Sequence, residues 1–489
     1  LHVQTLLWVG LVACQGEAEE PATGSVCPGC TTHTLSSEPT ETTGTTATTT
    51  TTTTGTTGPT GPVRERLMLH GGGSEDDAIY TRFAANAGFG HLVTMGATDP
   101  SNPDLLFWDD YWVGLGAASA ETLNTTSAAD ADDPAVIAAI DAADGIYVRG
   151  GDQSLYLQHW AGNAIEEALE RAWDRGAVFG GSSAGCAILG ERIYDAMEGS
   201  IDPYQALLDP FDPELSFTDG FLPFLPGVIT DTHFTERGRL GRLPVFLARW
   251  VDDGATAPIG LGVDPETALF VSEDGTAEVM GPGSVTLMQA PVAQTLRRND
   301  PPDLRGVRVW QLIDGYRVDL YAPDPVLARP ASVSLVQAPV PVAWTDLTLD
   351  GNAGGDRARG QWVIPELNDD PFGWYYGDFS LVETAAPDLT GTFVMTRLYD
   401  DLDYAENHVG GTMWALAQHP GAVGIAVDVW MSVDLAADGT ASVPNNAYAL
   451  VLDGRSVTAA GVPAVTGEPN TAALEGLTLD VVGGGQVWP

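Results

Sequence analysis

The sequence predicts an α/β protein, with a doubly wound, mainly parallel sheet over residues 63–325 and a β-rich extension over 326–489. Two observations carry this. From Arg64 onward, short apolar runs alternate with amphipathic stretches, the pattern of a parallel sheet covered on both faces. Glycine-rich breaks then fall at the ends of three of those runs, at 71–73, 150–151 and 180–185. Open α/β sheets place their chemistry at such carboxyl ends.

Ahead of the folded part, "LHVQTLLWVGLVAC" over residues 1–14 reads as a lipoprotein-type signal, with Cys14 as the lipidated residue. The run is too short to stay in a bilayer as a permanent helix, so the expectation is export and tethering to the cell envelope. Residues 15–62 are a threonine-rich linker that cannot bury enough surface to fold. Within it, Cys27 and Cys30 are expected to close a small local disulfide rather than hold a metal. The chain carries 66 acidic against 21 basic residues, a net charge of −45, and every basic residue is arginine. Nucleic acid and anionic membrane surfaces are excluded as partners by simple repulsion. Any local cluster of arginines stands out against this background.

"RLMLH" reads as the first strand and "HLVTM" as the second. "PAVIAAIDAAD" reads as a helix, "GIYVRGGDQ" as a strand and turn, and "AIEEALERAWDRG" as a helix. "AVFGGSSAGCAILG", residues 177–190, then runs from a strand through a crowd of small residues into a helix. Gly181-Ser182-Ser183-Ala184-Gly185 fits a nucleophile elbow, in which a sharp turn exposes the central Ser183 and small neighbours avoid clashes. Backbone N–H groups of Ala184 and of the Gly150-Gly151 turn would face the oxyanion. Ser182 falls before the bend, and Cys186 faces packing, so a thiol nucleophile is the weakest reading.

"VITDTHFTERGRLGRLPVFLARW", 228–250, ends a strand at Asp231-Thr232-His233 and follows it with Arg237, Arg239 and Arg242. His233, beside a carboxylate at a strand's end, is the natural general base for Ser183. His70 and His91 border strands and read as structural. A third group should orient the imidazole, and "PIGLGVDPETALFVSEDG" offers Glu266 first and Asp264 second. The order serine, histidine, acid differs from that of α/β-hydrolases.

Taken together, "GGDQ" at 150–153, "GSSAGC" at 181–186, "DTHFTERGRLGR" at 231–242 and "GLGVDPETAL" at 260–269 resemble the cyanophycinase and aspartyl-dipeptidase family of serine peptidases, peptidase family S51. The resemblance spans roughly residues 64–325. It implies a fold similar to class I glutamine-amidotransferase domains, a Ser-His-Glu triad, a peptide substrate of β-aspartyl or cyanophycin type and a homodimer, with no metal or organic cofactor. It places Gln153, Asp231, Arg237, Arg239 and Arg242 in the substrate pocket, with Gly151 and Ala184 at the oxyanion. Two departures stand out. Thr232 replaces a glutamine of the family pattern, and Pro265 stands where an acidic residue often follows Asp264. These departures keep open the alternative of a surface binding protein that retains the fold without turnover.

The extension holds one internal echo. Residues 423–443 align without a gap to 259–279 with eight identities, and Trp430 stands where Glu266 does. The expectation is a partial repeat without catalytic residues.

Overall fold

The computed structural model describes residues 63–97, 107–337, 340–351, 360–363, 382–384, 389–396, 408–462 and 472–489. The signal, Cys14 and the Cys27–Cys30 pair lie outside the described residues. The first arm runs β1 (Glu65–His70), α1 (Asp77–Asn86), β2 (His91–Gly96), α2 (Phe107–Gly114), β3 (Ser119–Asn124), α3 (Ala128–Ala131), α4 (Pro134–Ala142), β4 (Gly145–Val148), α5 (Gln153–Trp160), α6 (Ala164–Arg175), β5 (Val178–Ser182) and α7 (Ala184–Ala187). The second continues through β6 (Gly190–Tyr194), α8 (Pro203–Leu208), β7 (Phe217–Asp219), β8 (Leu225–Thr232), α9 (Leu243–Asp252), β9 (Ile259–Val263), β10 (Ala268–Ser272), β11 (Thr276–Met280), β12 (Ser284–Gln289), β13 (Ala293–Arg297), β14 (Asp300–Ile313), β15 (Arg317–Asp319) and β16 (Val326–Ala328).

Local sequence explains these elements. In α6, Asn163 caps the first turn and Gly176, at φ 98°, ends the helix. Its Ile165, Ala168, Leu169 and Ala172 fall at helical spacing on the buried face. The central strands β4 and β5 are buried on both faces, as a covered parallel sheet requires, while the edge strand β3 is partly exposed.

The strands fall into two large sheets where the sequence suggested one. In the first, β1, β5, β4, β2 and β3 are all parallel, and β10, β11, β15 and β16 extend it antiparallel beyond β1. The second contains the parallel set β6, β8 and β9, joined antiparallel by β12 and β14. The split follows from α7, which is only four residues long and sends the chain out of the first sheet after β5.

Residues beyond 326 add β17 (Ser334–Leu335), β18 (Leu347–Asp350), β19 (Trp362–Val363), β20 (Val382–Glu383), β21 (Thr392–Thr396), the helix His408–Gln418, β22 (Val423–Val427), β23 (Ser432–Leu435), β24 (Ala441–Ser442), β25 (Ala449–Asp453), β26 (Ala459–Gly461), β27 (Ala473–Val482) and β28 (Val487–Trp488). Four of these strands, in the order β27, β25, β22, β21, continue the second sheet beyond β14. Residue 325 is therefore no break in the fold, and 61–489 make one compact unit.

The three-glycine turn after β1 meets the ends of β8 and β9. Gly71 O accepts from His233 N at 2.8 Å, and Gly72 O accepts from Glu266 N at 2.7 Å. At the elbow, a Cβ on Gly181 would lie 2.2 Å from Gly185 O, and one on Gly185 would lie 2.1 Å from Val148 O. The crowd of small residues is thus a packing requirement of backbone against backbone. Gly185→Ala is expected to lower stability by about 1–3 kcal/mol, visible as a fall in thermal midpoint; an unchanged midpoint would contradict the close packing.

Candidate active site

Ser183 stands at the bend between β5 and α7 with φ 52° and ψ −119°, a conformation L-residues rarely adopt. Its N–H donates to His70 O at 3.0 Å, which fixes the turn against β1. The Ser183 hydroxyl lies 3.0 Å from His233 Nε2. His233 also has positive φ, 46°, and its ring lies over Gly72, where a Cβ would come within 2.2 Å of Nε2. Only glycine at 72 leaves room for this imidazole.

On the far side of the ring, His233 Nδ1 meets Glu236 Oε2 at 2.6 Å. This corrects the expectation for the acid. Glu266 is drawn by its backbone to Gly72 O, at φ 56°, and the carboxylate found on His233 is that of Glu236. Asp264 is buried and committed elsewhere, accepting from Thr235 N at 2.8 Å, Ser284 N at 2.9 Å and Ser284 Oγ at 2.6 Å. It anchors the segment that carries Glu236. Sequence reasoning passed over Glu236, although a signal existed: a carboxylate three residues after the histidine reaches back to it on a helical turn, and Arg237 N indeed donates to His233 O at 3.0 Å.

Burial pushes the His233 pKa below its ordinary value, and Arg237 and Arg239 push the same way against the raising effect of Glu236. Burial raises the Glu236 carboxyl, but its hydrogen bond to His233 and the nearby arginines outweigh this and hold it low. The pair is therefore a neutral imidazole on an ionised carboxylate at neutral pH. Nδ1 donates to Glu236, which leaves the Nε2 lone pair facing Ser183.

Beside Ser183 opens a cavity of about 360 Å³. Gly151, Gln153, Ala184, Asp231, Thr232, Arg237, Arg239 and Arg242 all line it. Asp231, 4% exposed, is gripped by Arg242 through Nε at 2.8 Å and Nη2 at 2.7 Å, while Arg239 Nη1 reaches it at 3.1 Å. Arg242 Nη1 donates to Ile201 O at 2.7 Å, so each of its three nitrogens has a protein acceptor. Arg242 is a strut of the pocket wall more than a hand for ligand. Arg239 Nη1 also holds Thr232 O at 2.6 Å, and Gln153 Nε2 donates to Tyr194 O at 3.3 Å. With two carboxylates, Asp152 and Asp231, against three guanidinium groups, the lining carries a net positive charge in a strongly acidic protein.

A second cavity, of about 570 Å³, opens against Ser183 and His233, with Phe107, Trp108, Tyr147 and Arg149 in its wall. Nothing in the local sequence joins these aromatic residues to the site. His70 is structural, as expected: it is fully buried, and its Nδ1 sits 3.0 Å from Ser182 Oγ and accepts from Gly72 N. Burial pushes its pKa down to about 3, so it stays neutral. Cys186 is completely buried and its thiol is pushed up by burial, which removes it as a nucleophile.

A serine on a strained strand-to-helix turn, a neutral histidine and a carboxylate in line define a hydrolase of the serine type. Residues 113–279 match the sequence profile of Peptidase family S51. The chain is 29% identical over 265 residues to a cyanophycinase from Synechococcus elongatus, covering 51% of this chain and 77% of the relative. It is 28% identical over 214 residues to a cyanophycinase from Trichormus variabilis, covering 42% and 67% respectively. A solved peptidase from an acI-B1 Actinobacterium aligns at 19% identity with a TM-score of 0.38, over 53% of this chain and 97% of that one. The matched region is thus similar to peptidase family S51, and the protein is a serine-type peptidase.

Because His233 titrates below its ordinary 6.5, Ser183-dependent hydrolysis should persist below that pH, with its acid limb set by protonation of the imidazole. Glu236→Gln removes the partner that raises His233, so the limb should move to lower pH. The maximal rate should drop on the order of 10³-fold, while Glu266→Gln stays near the parent rate. Profiles of kcat/KM against pH check this; equal losses in the two variants would contradict it. Asp231→Asn leaves two buried guanidinium groups without their counter-charge and should cost about 3–5 kcal/mol, measured by denaturant unfolding.

Proposed function

We propose that the protein is an exported serine exopeptidase acting on β-aspartyl or cyanophycin-like peptides. The observation that carries this reading is the adjacency of the Ser183–His233–Glu236 line to the arginine-lined cavity. Ser183 Oγ attacks the scissile carbonyl carbon while His233 Nε2 takes its proton, and Glu236 steadies the imidazolium that forms. The oxyanion lies towards the N–H groups of Gly151 and Ala184. Collapse of the tetrahedral intermediate expels the amine, which receives the proton from His233. Water, activated by the same imidazole, then releases the acyl group and restores the hydroxyl.

The cationic cavity supports a carboxylate-bearing substrate. A net charge of −45 repels an acidic peptide at long range, so a local guanidinium cluster is needed where it docks. Arg237 and Arg239 are the proposed docking groups, with Gln153 beside them in the lining, and Arg239 is held by Asp231, itself gripped by Arg242. The cyanophycinase names of the similar proteins support the substrate class. The alternative of a binding protein without turnover loses its main motive, because Glu236 supplies the carboxylate on His233 despite Pro265. Tethering through a lipid on Cys14 is part of the proposal and rests on the N-terminal sequence alone.

The direct test is product analysis on a β-Asp-Arg polymer or dipeptide. Ser183→Ala should abolish hydrolysis, and activity surviving it would overturn the assignment. Arg239→Ala should raise KM for the β-aspartyl substrate tenfold or more, as a desolvated charge contact is worth several kcal/mol, while a neutral ester is affected less. Equal losses on both would assign the arginine to the fold instead. Cys14→Ser should move the protein from the membrane fraction to the soluble one without changing specific activity; continued sedimentation with membranes would refute the lipid anchor.

A further inference from the structure

The second sheet is symmetric about its middle. Read outward from β14 the order is β12, β9, β8, and read outward from β27 it is β25, β22, β21. Within these two four-strand sets the pair farthest from the seam is parallel and the inner pairings are antiparallel, while β6 and β7 extend the first set alone. Even the side strands match, since β13 pairs with β14 and β26 with β27.

The correspondence holds residue by residue. A shift of 164 carries Ile259 of β9 onto Val423 of β22 and Ala268 of β10 onto Ser432 of β23. The parallel registers agree, with Thr232 beside Val263 and Thr396 beside Val427. Asp264 is buried and accepts from Ser284; its counterpart Asp428 is buried and accepts from Tyr448, at the same shift. Two places on, Glu266 and Trp430 share a positive φ, 56° and 63°.

Outside the second sheet the likeness continues. β18 pairs antiparallel with β23 as β1 pairs with β10, placing Asp350 opposite Ser432 as His70 lies opposite Ala268. Gly71 N donates to Thr267 O at 3.0 Å, and Gly351 N donates to Met431 O at 2.9 Å. A Cβ on Gly71 would lie 2.0 Å from Asp264 O, and one on Gly351 would lie 1.7 Å from Asp428 O. Chance similarity of two hairpins does not reproduce a glycine turn, a buried acid and a strained residue in one register.

What the second copy lacks is equally definite. Only 41 residues separate Asp350 from Thr392, against 154 between His70 and Leu225. The arm that carries β2 to β7 and the elbow has no room there. In sequence, Arg397 follows Thr396 where His233 follows Thr232.

We propose that residues 347–489 are a built-in, non-catalytic partner subunit, a shortened second copy of the peptidase core seated on β14. An antiparallel strand pair about a two-fold axis is the self-complementary contact by which two copies of one fold join, and an uncovered long strand edge invites it. Here β27 fills that place, with Val309 opposite Leu477 and Arg308 opposite Thr478. Val307, Val309, Leu477 and Leu479 are all fully buried at the seam. Glu475, 1% exposed, is tied across it by Tyr316 Oη at 3.0 Å and by Arg329 Nη2 at 2.6 Å. The partner's core is continuous with Ile201, Ala206 and Leu207, so it also braces the wall to which Arg242 is anchored. One chain with one active site is then the complete unit. The proposal does not depend on which substrate Ser183 cleaves.

The test uses the full chain with Arg308→Cys and Thr478→Cys together, compared with the parent chain. Under mild oxidation the pair should close within one chain, giving a faster-migrating monomer that reverts with reductant. Multi-angle light scattering of the parent should give the mass of one chain throughout the micromolar range. Should the cysteine variant fail to fold, the parent's mass alone decides. Disulfide-linked dimers specific to the variant, or a parent mass of two chains, would overturn the proposal.

Discussion

The backbone of the Gly71–Gly73 turn is the constraint from which the site is built. Its carbonyls receive His233 N and Glu266 N, and its N–H at Gly71 closes on Thr267 O. The first two bonds tie β1, in one sheet, to the segments that follow β8 and β9, in the other, and the third continues the pairing of β1 with β10. The absence of side chains is what lets the strands meet: a Cβ at Gly71 would strike Asp264 O, and one at Gly72 would strike the imidazole of His233. The histidine is therefore placed by backbone contact, and the Ser183 elbow is hung from the same strand through His70 O. Nucleophile and base come from different sheets, and the glycine turn fixes their separation.

Electrostatics are organised on the other side of the serine. An acidic protein cannot leave three arginines unattended near its surface and still keep them aimed inward. Asp231 takes Arg242 in a bidentate grip, both of them deeply buried, and holds the partly buried Arg239 at one corner. Charge-assisted bonds of this kind fix direction as well as strength. The pocket wall is in turn fastened by Arg242 to Ile201 O, at the edge of the apolar core shared with the C-terminal half.

Much of this was legible in the sequence, for physical reasons. The elbow shows itself because only small residues can occupy positions 181 and 185, and the arginine cluster because so few basic residues exist. The alternation of apolar runs and helices gave the parallel arm. The acid was misjudged because the sequence pattern puts weight on the "DPET" segment, whereas the actual turn after β8 folds Glu236 back onto the ring. The two-sheet split was also hidden, since nothing local distinguishes a four-residue α7 from the first turn of a longer helix. The aromatic cavity was invisible for another reason: Phe107, Trp108 and Tyr147 lie far from Ser183 in sequence and meet it only through sheet order.

The central claim is that Ser183 is an activated nucleophile served by His233 and Glu236. A fluorophosphonate probe followed by peptide mass mapping tests it without assuming a substrate. The account predicts a single adduct on Ser183 in the parent chain, formed far more slowly in Glu236→Gln and at near-parent rate in Glu266→Gln. No adduct at Ser183, or labelling that depends on Glu266 and ignores Glu236, would contradict it.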